Sequence, residues 1–394
     1  MWYRLLFLFI FTGTLQATGL PISKVIKQLP KAPACLITNK ATSGHLLLQR
    51  RGNSSALHRE FARAGKRLYR VFTPEHGLDA REEGRGNSRS HGVRVTSLHK
   101  TSVKQMLSYF KYCAIMIYDL PDVGVRPYTY RTILTRSMRA TELLSKKWRR
   151  TYWVIDRPNP ASHLGIIGPL AVRKKFTYLG EDSIPFFPSK TQGEIARLFK
   201  GKHRLKLRLR VLKLPRYRKT GFLSGSSSSF RAPSPNIPSK RAMYCYWVSV
   251  LLEGTTFELG RNTNDPFCMI GAPDLDYRKP LPQGKKIKWS RASFTARWGK
   301  QKGKRMYGFR MQILNPRRFN PVAEAYGFLL YLRKHYGMKY IKRHKQGTYA
   351  LDELTGSDSL RKALMQGLSY WAYRSKERRR VAYYERKVRR YILY

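Results

Sequence analysis

The chain has 394 residues, 42% of them apolar and 13% aromatic. That is enough material for about two or three packed domains and excludes a disordered chain. Its 78 Lys and Arg against 23 Asp and Glu give a formal charge of +55, a field that favours anionic partners. The basic residues run along the whole length, without zinc-finger spacing, an RNP-type motif or a helix-turn-helix signature, which argues against a specific nucleic-acid partner.

Met1-Trp2-Tyr3-Arg4 precedes an uncharged apolar run, Leu5 to Phe11, and small residues follow up to Ala17. This pattern predicts a secretory signal over 1–17 and a periplasmic or secreted protein. The run is too short for the roughly 20 residues of a transmembrane span, and nothing later resembles one. Strands are expected over Pro33–Asn39, Leu68–Phe72, Cys113–Tyr118 and Tyr152–Ile155, and an alternating basic strand over His203–Leu212. Helices are expected over Ala56–Ala64, Thr101–Tyr112, Ile133–Lys146 and Gln192–Phe199. The alternation predicts an α/β domain with a largely parallel sheet over residues 30–225.

Each strand empties into a loop with polar, Pro or Gly residues. Asn39, Glu75, His76, Asp119, Asp122 and Asp156 should therefore gather at the carboxyl edge of one sheet, where ligands bind in open α/β folds. No G-x-G-x-x-G fingerprint or metal-ligand spacing is present, so no cofactor and no metal is expected. Cys35 and Cys113 lie in apolar strand-like runs and read as buried free thiols; an exported protein could pair Cys245 with Cys268.

The irregular stretch Pro215 to Lys240 marks a boundary, with a second domain over 226–394. There an apolar run, Met243 to Leu252, leads to Glu253-Gly254-Thr255. A strand over Tyr307–Leu314, a helix over Val322–His335, a segment Leu351–Gly367 with Ser357 or Asp358 as N-cap, and a helix-like basic tail from Tyr370 follow.

Several motifs together resemble one family. They are Phe72-Thr73-Pro74-Glu75-His76-Gly77, Asp122-Val123-Gly124-Val125-Arg126-Pro127-Tyr128-Thr129-Tyr130, Asp156-Arg157-Pro158-Asn159-Pro160, Pro233-Ser234-Pro235-Asn236-Ile237-Pro238, Glu253-Gly254-Thr255 and Gly260-Arg261. In this order they resemble the exo-β-N-acetylmuramidases of bacterial peptidoglycan recycling, from about Cys35 to Tyr394. Pro127 after Arg126 and Asn262 after Arg261 depart from the usual pattern. The resemblance implies a Rossmann-like N-terminal domain, a smaller C-terminal α/β domain and an active site in the cleft between them. It also implies release of N-acetylmuramic acid from the non-reducing end of peptidoglycan fragments.

Glycosidic cleavage usually needs one carboxylic acid and a second group that attacks or activates water. Glu75 is expected to donate the proton, with His76 beside it. The second group is open among Asp122, Asp119, Glu253 and the substrate's own acetamido group. Arg126 and Arg261 are expected to clamp the lactyl carboxylate, and Tyr128 and Tyr130 to stack on sugar. Asn39, Asp156, Asn159, Asn236 and Glu253 complete the expected substrate contacts, while Glu258 is open to a local pairing role. The alternative is a non-catalytic binder of peptidoglycan or other polyanions, or an enzyme held electrostatically on an anionic envelope.

Overall fold

A computed structural model describes residues 20–42, 50–51, 54–79, 87–90, 93–146, 149–220, 230–276 and 278–394. The expected signal segment, 1–17, lies outside the described residues.

The N-terminal domain is organised by β1 (Pro33–Thr38), β2 (Arg67–Thr73), β3 (Asn87–Ser90), β4 (Val93–Ser97), β5 (Ile115–Asp119) and β6 (Thr151–Ile155). A small ladder, β7 (Ile167–Leu170) with β8 (Pro185–Phe187), precedes β9 (Arg208–Leu212). The main sheet runs in the order β9-β6-β5-β1-β2-β4-β3. All its neighbours are parallel except the edge pair β3–β4. Taking the six parallel strands alone, this is the doubly wound dinucleotide-fold order, with its switch point between β1 and β5. Interior strands of such a sheet are covered on both faces and so read as unbroken apolar runs, as Cys35-Leu36-Ile37 and Ile115-Met116-Ile117-Tyr118 do.

Helices begin where the sequence supplies caps. Ser102 with Gln105 and Thr191 with Glu194 each form a complete capping box at the starts of Val103–Phe110 and Gln192–Lys202. One sheet face packs on Ile22, Val25, Leu57 and Phe61. The other packs on the helix Tyr130–Ser145 and continues without a break into the second domain.

The apolar run Met243 to Leu252 lies in a buried helix, Lys240–Leu252, whose Trp247 indole donates to Val123 O across the domain junction at 2.6 Å. An antiparallel sheet follows, of β10 (Met269–Ala272), β11 (Ile287–Thr295) and β12 (Arg305–Ile313), in the order β10-β12-β11. The helix Pro321–Tyr336 starts at an Asn320 cap with Pro at its first position. The segment 351–367 is two helices, broken at Gly356, which takes the left-handed conformation at φ 65°. Asp358 occupies an N-cap position there but makes no side-chain cap bond. The tail is a helix, Tyr370–Val388, capped by Ser369.

Three details differ from the sequence reading. Cys35 and Cys113 are buried but joined to each other; a second disulfide joins Cys245 to Cys268. The first pair meets because β1 and β5 are neighbours, with Ala34 opposite Ile115, and residue spacing carries no sign of that. His203 and Arg204 form a turn, with Arg204 at φ 52°, and residues 205–207 are irregular, so the strand there starts only at Arg208. Strands β3, β4, β7, β8, β10 and β11 were not foreseen; β11 does not keep one alternation, burying Ile287 and Trp289 on one face and Phe294, of the opposite parity, on the other.

Candidate active site

The carboxyl ends of β1, β2, β4, β5 and β6 deliver Asn39, Glu75, His99, Asp119 and Asp156 to one edge. Glu75 sits in a tight turn after β2, in which His76 and Gly77 take left-handed φ values of 71° and 68°. A non-glycine residue in that region is uncommon and strained. The turn is tied to the loop after β1 by Lys40 N donating to Leu78 O at 2.9 Å.

Glu75 keeps 28% of its side chain accessible. Thr129 Oγ1 donates to its Oε2 at 3.1 Å, and His99 Nδ1 lies 3.6 Å from the same oxygen. Both contacts fall on Oε2. His99 escaped the sequence reading because β4 was not recognised; its ring stands edge-on to Tyr178 at 5.6 Å.

The second domain brings Glu253 to the same place. Its carboxyl is pushed above the usual range first by burial and further by the negative charge of Glu75, while Arg261 opposes both. Arg261 Nη2 donates to Glu253 Oε1 at 2.6 Å, and its guanidinium lies 5.2 Å from the ring centres of both Phe267 and Trp298. Glu253 retains 26% side-chain accessibility, so it faces the junction and is not sealed in. Glu258 is also raised by burial and bridges its backbone to Gly271. An aromatic column connects the two halves: Tyr130 to Tyr128 at 4.4 Å, Tyr128 to Tyr246 at 6.3 Å, Tyr246 to Phe267 at 4.7 Å.

Several expected contact residues lie beneath this surface. Asp122 has no side-chain exposure, accepts from Gly124 N at 2.8 Å and pairs with Arg131 at 2.8 Å. Asp119 is equally enclosed and holds Arg157 at 2.6 Å. Arg126 is buried and donates to the carbonyls of Leu354 and Leu179. Asp156 is buried among Thr191, Gly193 and Tyr394 donors. Asn159 spans Lys190 O and Ala161 N. Asn39 and Tyr130 both donate to Pro233 O, and Asn236 Oδ1 accepts from Asn262 N, so the loop 233–238 is stitched to both domains. In this structure these groups shape the site, and the accessible ones are Glu75, His76, Glu253, Arg261 and Asn236.

Among the described residues no cluster of His, Cys, Asp and Glu could hold a metal ion, and no helix is long and apolar enough to cross a membrane.

The sequence models of the exo-beta-N-acetylmuramidase NamZ family match almost the whole chain, the N-terminal one over residues 35–241 and the C-terminal one over 244–394. The chain belongs to the NamZ family. It is similar to the peptidoglycan beta-N-acetylmuramidase NamZ of Bacillus subtilis strain 168, at 27% identity over 338 residues, covering 83% of this chain and 80% of the relative. Two solved DUF1343 family proteins from Bacteroides fragilis share the NamZ-type fold. One has a TM-score of 0.75 at 21% identity, covering 96% of this chain and 98% of its own. The other has a TM-score of 0.67 at 25% identity, covering 93% and 95%.

Proposed function

We propose that this protein is an exo-acting β-N-acetylmuramidase that removes terminal N-acetylmuramic acid from the non-reducing end of peptidoglycan fragments. The observation that carries the reading is that Glu75 and Glu253, one from each domain, are both partly accessible carboxylates and that the charge of Glu75 raises the Glu253 carboxyl. Two carboxyl groups flanking one bond are what glycoside hydrolysis requires. Glu75 donates the proton to the leaving oxygen, oriented by Thr129 and His99 on its other oxygen. Glu253 stands opposite as the second group, with Arg261 stabilising its charged form. Arg261 carries five N–H donors and gives one to Glu253, so its fork also suits a lactyl carboxylate. Asp122 and Asp119, held in buried ion pairs, keep the loops in place and take no part in proton transfer.

A second reading exchanges the two roles, because burial and Glu75 raise the Glu253 carboxyl and so favour its holding the proton. Variants Glu75→Gln and Glu253→Gln, assayed on a MurNAc-GlcNAc disaccharide and on an aryl MurNAc glycoside, separate the readings. The acid's variant keeps activity on the aryl substrate, whose leaving group needs no proton, and loses it on the disaccharide. Full disaccharide activity in both variants sinks the assignment.

The two disulfides support an oxidising compartment, the periplasm or cell exterior, in line with the N-terminal apolar run. Mass analysis of the mature N-terminus tests it. The +55 charge supports electrostatic retention on an anionic envelope, read out as salt-sensitive binding to peptidoglycan sacculi.

A further inference from the structure

The helix Tyr130–Ser145 and the loop before it carry two buried arginines, Arg126 and Arg131. Both line a cavity of about 20 Å³ inside the N-terminal domain, near its contact with the second. Thr132, Thr135, Glu181 and Asp182 also line it. That volume admits one particle of water-to-chloride size.

The charges around the cavity do not balance. Arg131 is paired with Asp122, Glu181 with Arg136, and Asp182 with Lys202. Arg126 has no carboxylate partner among the described residues; its Nη1 and Nη2 reach only the carbonyls of Leu179 and Leu354. Its guanidinium is slotted against two glycines: a Cβ on Gly180 would stand 2.1 Å from Nη1, and one on Gly356 would stand 3.0 Å from Nη2. The slot fixes the group, so it cannot swing out to water. Burial and the charge of Arg131 push its pKa down to about 9, a measure of how poorly the surroundings compensate it. Among the described residues, two buried donors here lack a hydrogen-bond partner, Nε of Arg126 and Nη1 of Arg131. The hydroxyl hydrogens of Thr132 and Thr135 are already given to the carbonyls of Tyr178 and Thr132.

A buried cation without a counter-charge is costly, and a water would satisfy its hydrogen bonds but not its charge. We propose that this cavity is a site for one monatomic anion, chloride under ordinary conditions, held by Arg126 Nε and Arg131 Nη1. The anion neutralises Arg126, which reaches across to Leu354 of the second domain. The segment between the two arginines contains Thr129, the donor to Glu75. The anion therefore stiffens the loop that holds the proposed acid. That functional consequence rests on the proposed role of Glu75; the binding site does not.

The test uses the unmodified protein crystallised in sodium bromide, with an anomalous difference map at the bromine edge. A peak between Arg126 and Arg131 is expected. Density that refines as water, or none at molar bromide, overturns the proposal. In solution, replacing gluconate by chloride at constant ionic strength is expected to raise the melting temperature saturably, by roughly 2–4 °C. Identical melting in the two salts also overturns it. The variant Arg126→Met should abolish the halide response; if it does not fold, the bromide map of the parent decides. Disaccharide turnover in chloride against gluconate then bears on Glu75 separately, since a bromide peak without any effect on turnover would remove only the catalytic consequence.

Discussion

Asp156 offers a quantitative test of the buried framework. It follows β6, has no exposure, and accepts bonds from Thr191 Oγ1 at 2.7 Å, Gly193 N at 2.8 Å and Tyr394 OH at 2.9 Å. Burial outweighs these donors and lifts its pKa from 3.8 to about 6. A carboxyl whose folded pKa is raised stabilises the fold while it is protonated. That stability is complete below the unfolded pKa and is lost as pH rises through the folded one. The gap is about two units at about 1.4 kcal/mol each, so about 3 kcal/mol should disappear between pH 4 and pH 6. Asp156→Asn removes this titration and keeps most of the bonding. Its amide oxygen can still accept from Gly193, and its amide nitrogen can donate to the Thr191 and Tyr394 hydroxyls, which already accept elsewhere from Glu194 N and Leu214 N. Denaturant unfolding of both proteins from pH 4 to pH 8 checks it. The parent should lose about 3 kcal/mol relative to the variant across that window. Curves that stay parallel would refute the claim that burial dominates at this position.

Other consequences are open to measurement. Glu75→Gln should lower disaccharide turnover by roughly 10²–10⁴-fold, with the melting temperature little changed because the side chain is partly exposed. Arg261→Ala removes the cation that holds the Glu253 carboxyl down, so the limb of the pH–rate profile due to Glu253 should move to higher pH; an unmoved profile would show that Glu253 is not seen in the rate. Breaking Cys35–Cys113, which closes 78 residues, should cost about 4–5 kcal/mol, against about 3–4 kcal/mol for the 23-residue Cys245–Cys268 link. Denaturant midpoints of the two double-serine variants test that order. Gly124→Ala should unfold the site loop or slow turnover severely, since Gly124 has φ 93° and a Cβ there would stand 2.4 Å from that of Ala161.

What the sequence could reveal was local. Four apolar runs that empty into polar, Pro or Gly loops and one alternating basic run correspond to five of the sheet's strands, and their common edge already groups Asn39, Glu75 and Asp156. Depth was not legible. Arg126, Asp122 and Asn159 have the residue types of substrate binders, yet their partners, Leu354, Arg131 and Lys190, are fixed only once separate segments pack. The approach of Glu253 to Glu75 was hidden for the same reason: 178 positions of chain separate them, and only the docking of two domains makes them neighbours. The disulfide Cys35–Cys113 is a fact of strand order, which periodicity does not encode.

The bond from Tyr394 to Asp156 spans 238 positions, and Leu393 N reaches Glu194 in the same way. The N-terminal sheet edge is therefore finished by residues that leave the ribosome after the whole second domain. A nascent chain holding only the first domain would expose the carboxyl of Asp156 and the core face that the Lys240–Leu252 helix later covers. Synthesis must thus pass through a stage in which a nearly formed sheet waits for its partner with apolar surface still exposed, the kind of species that is open to misassembly.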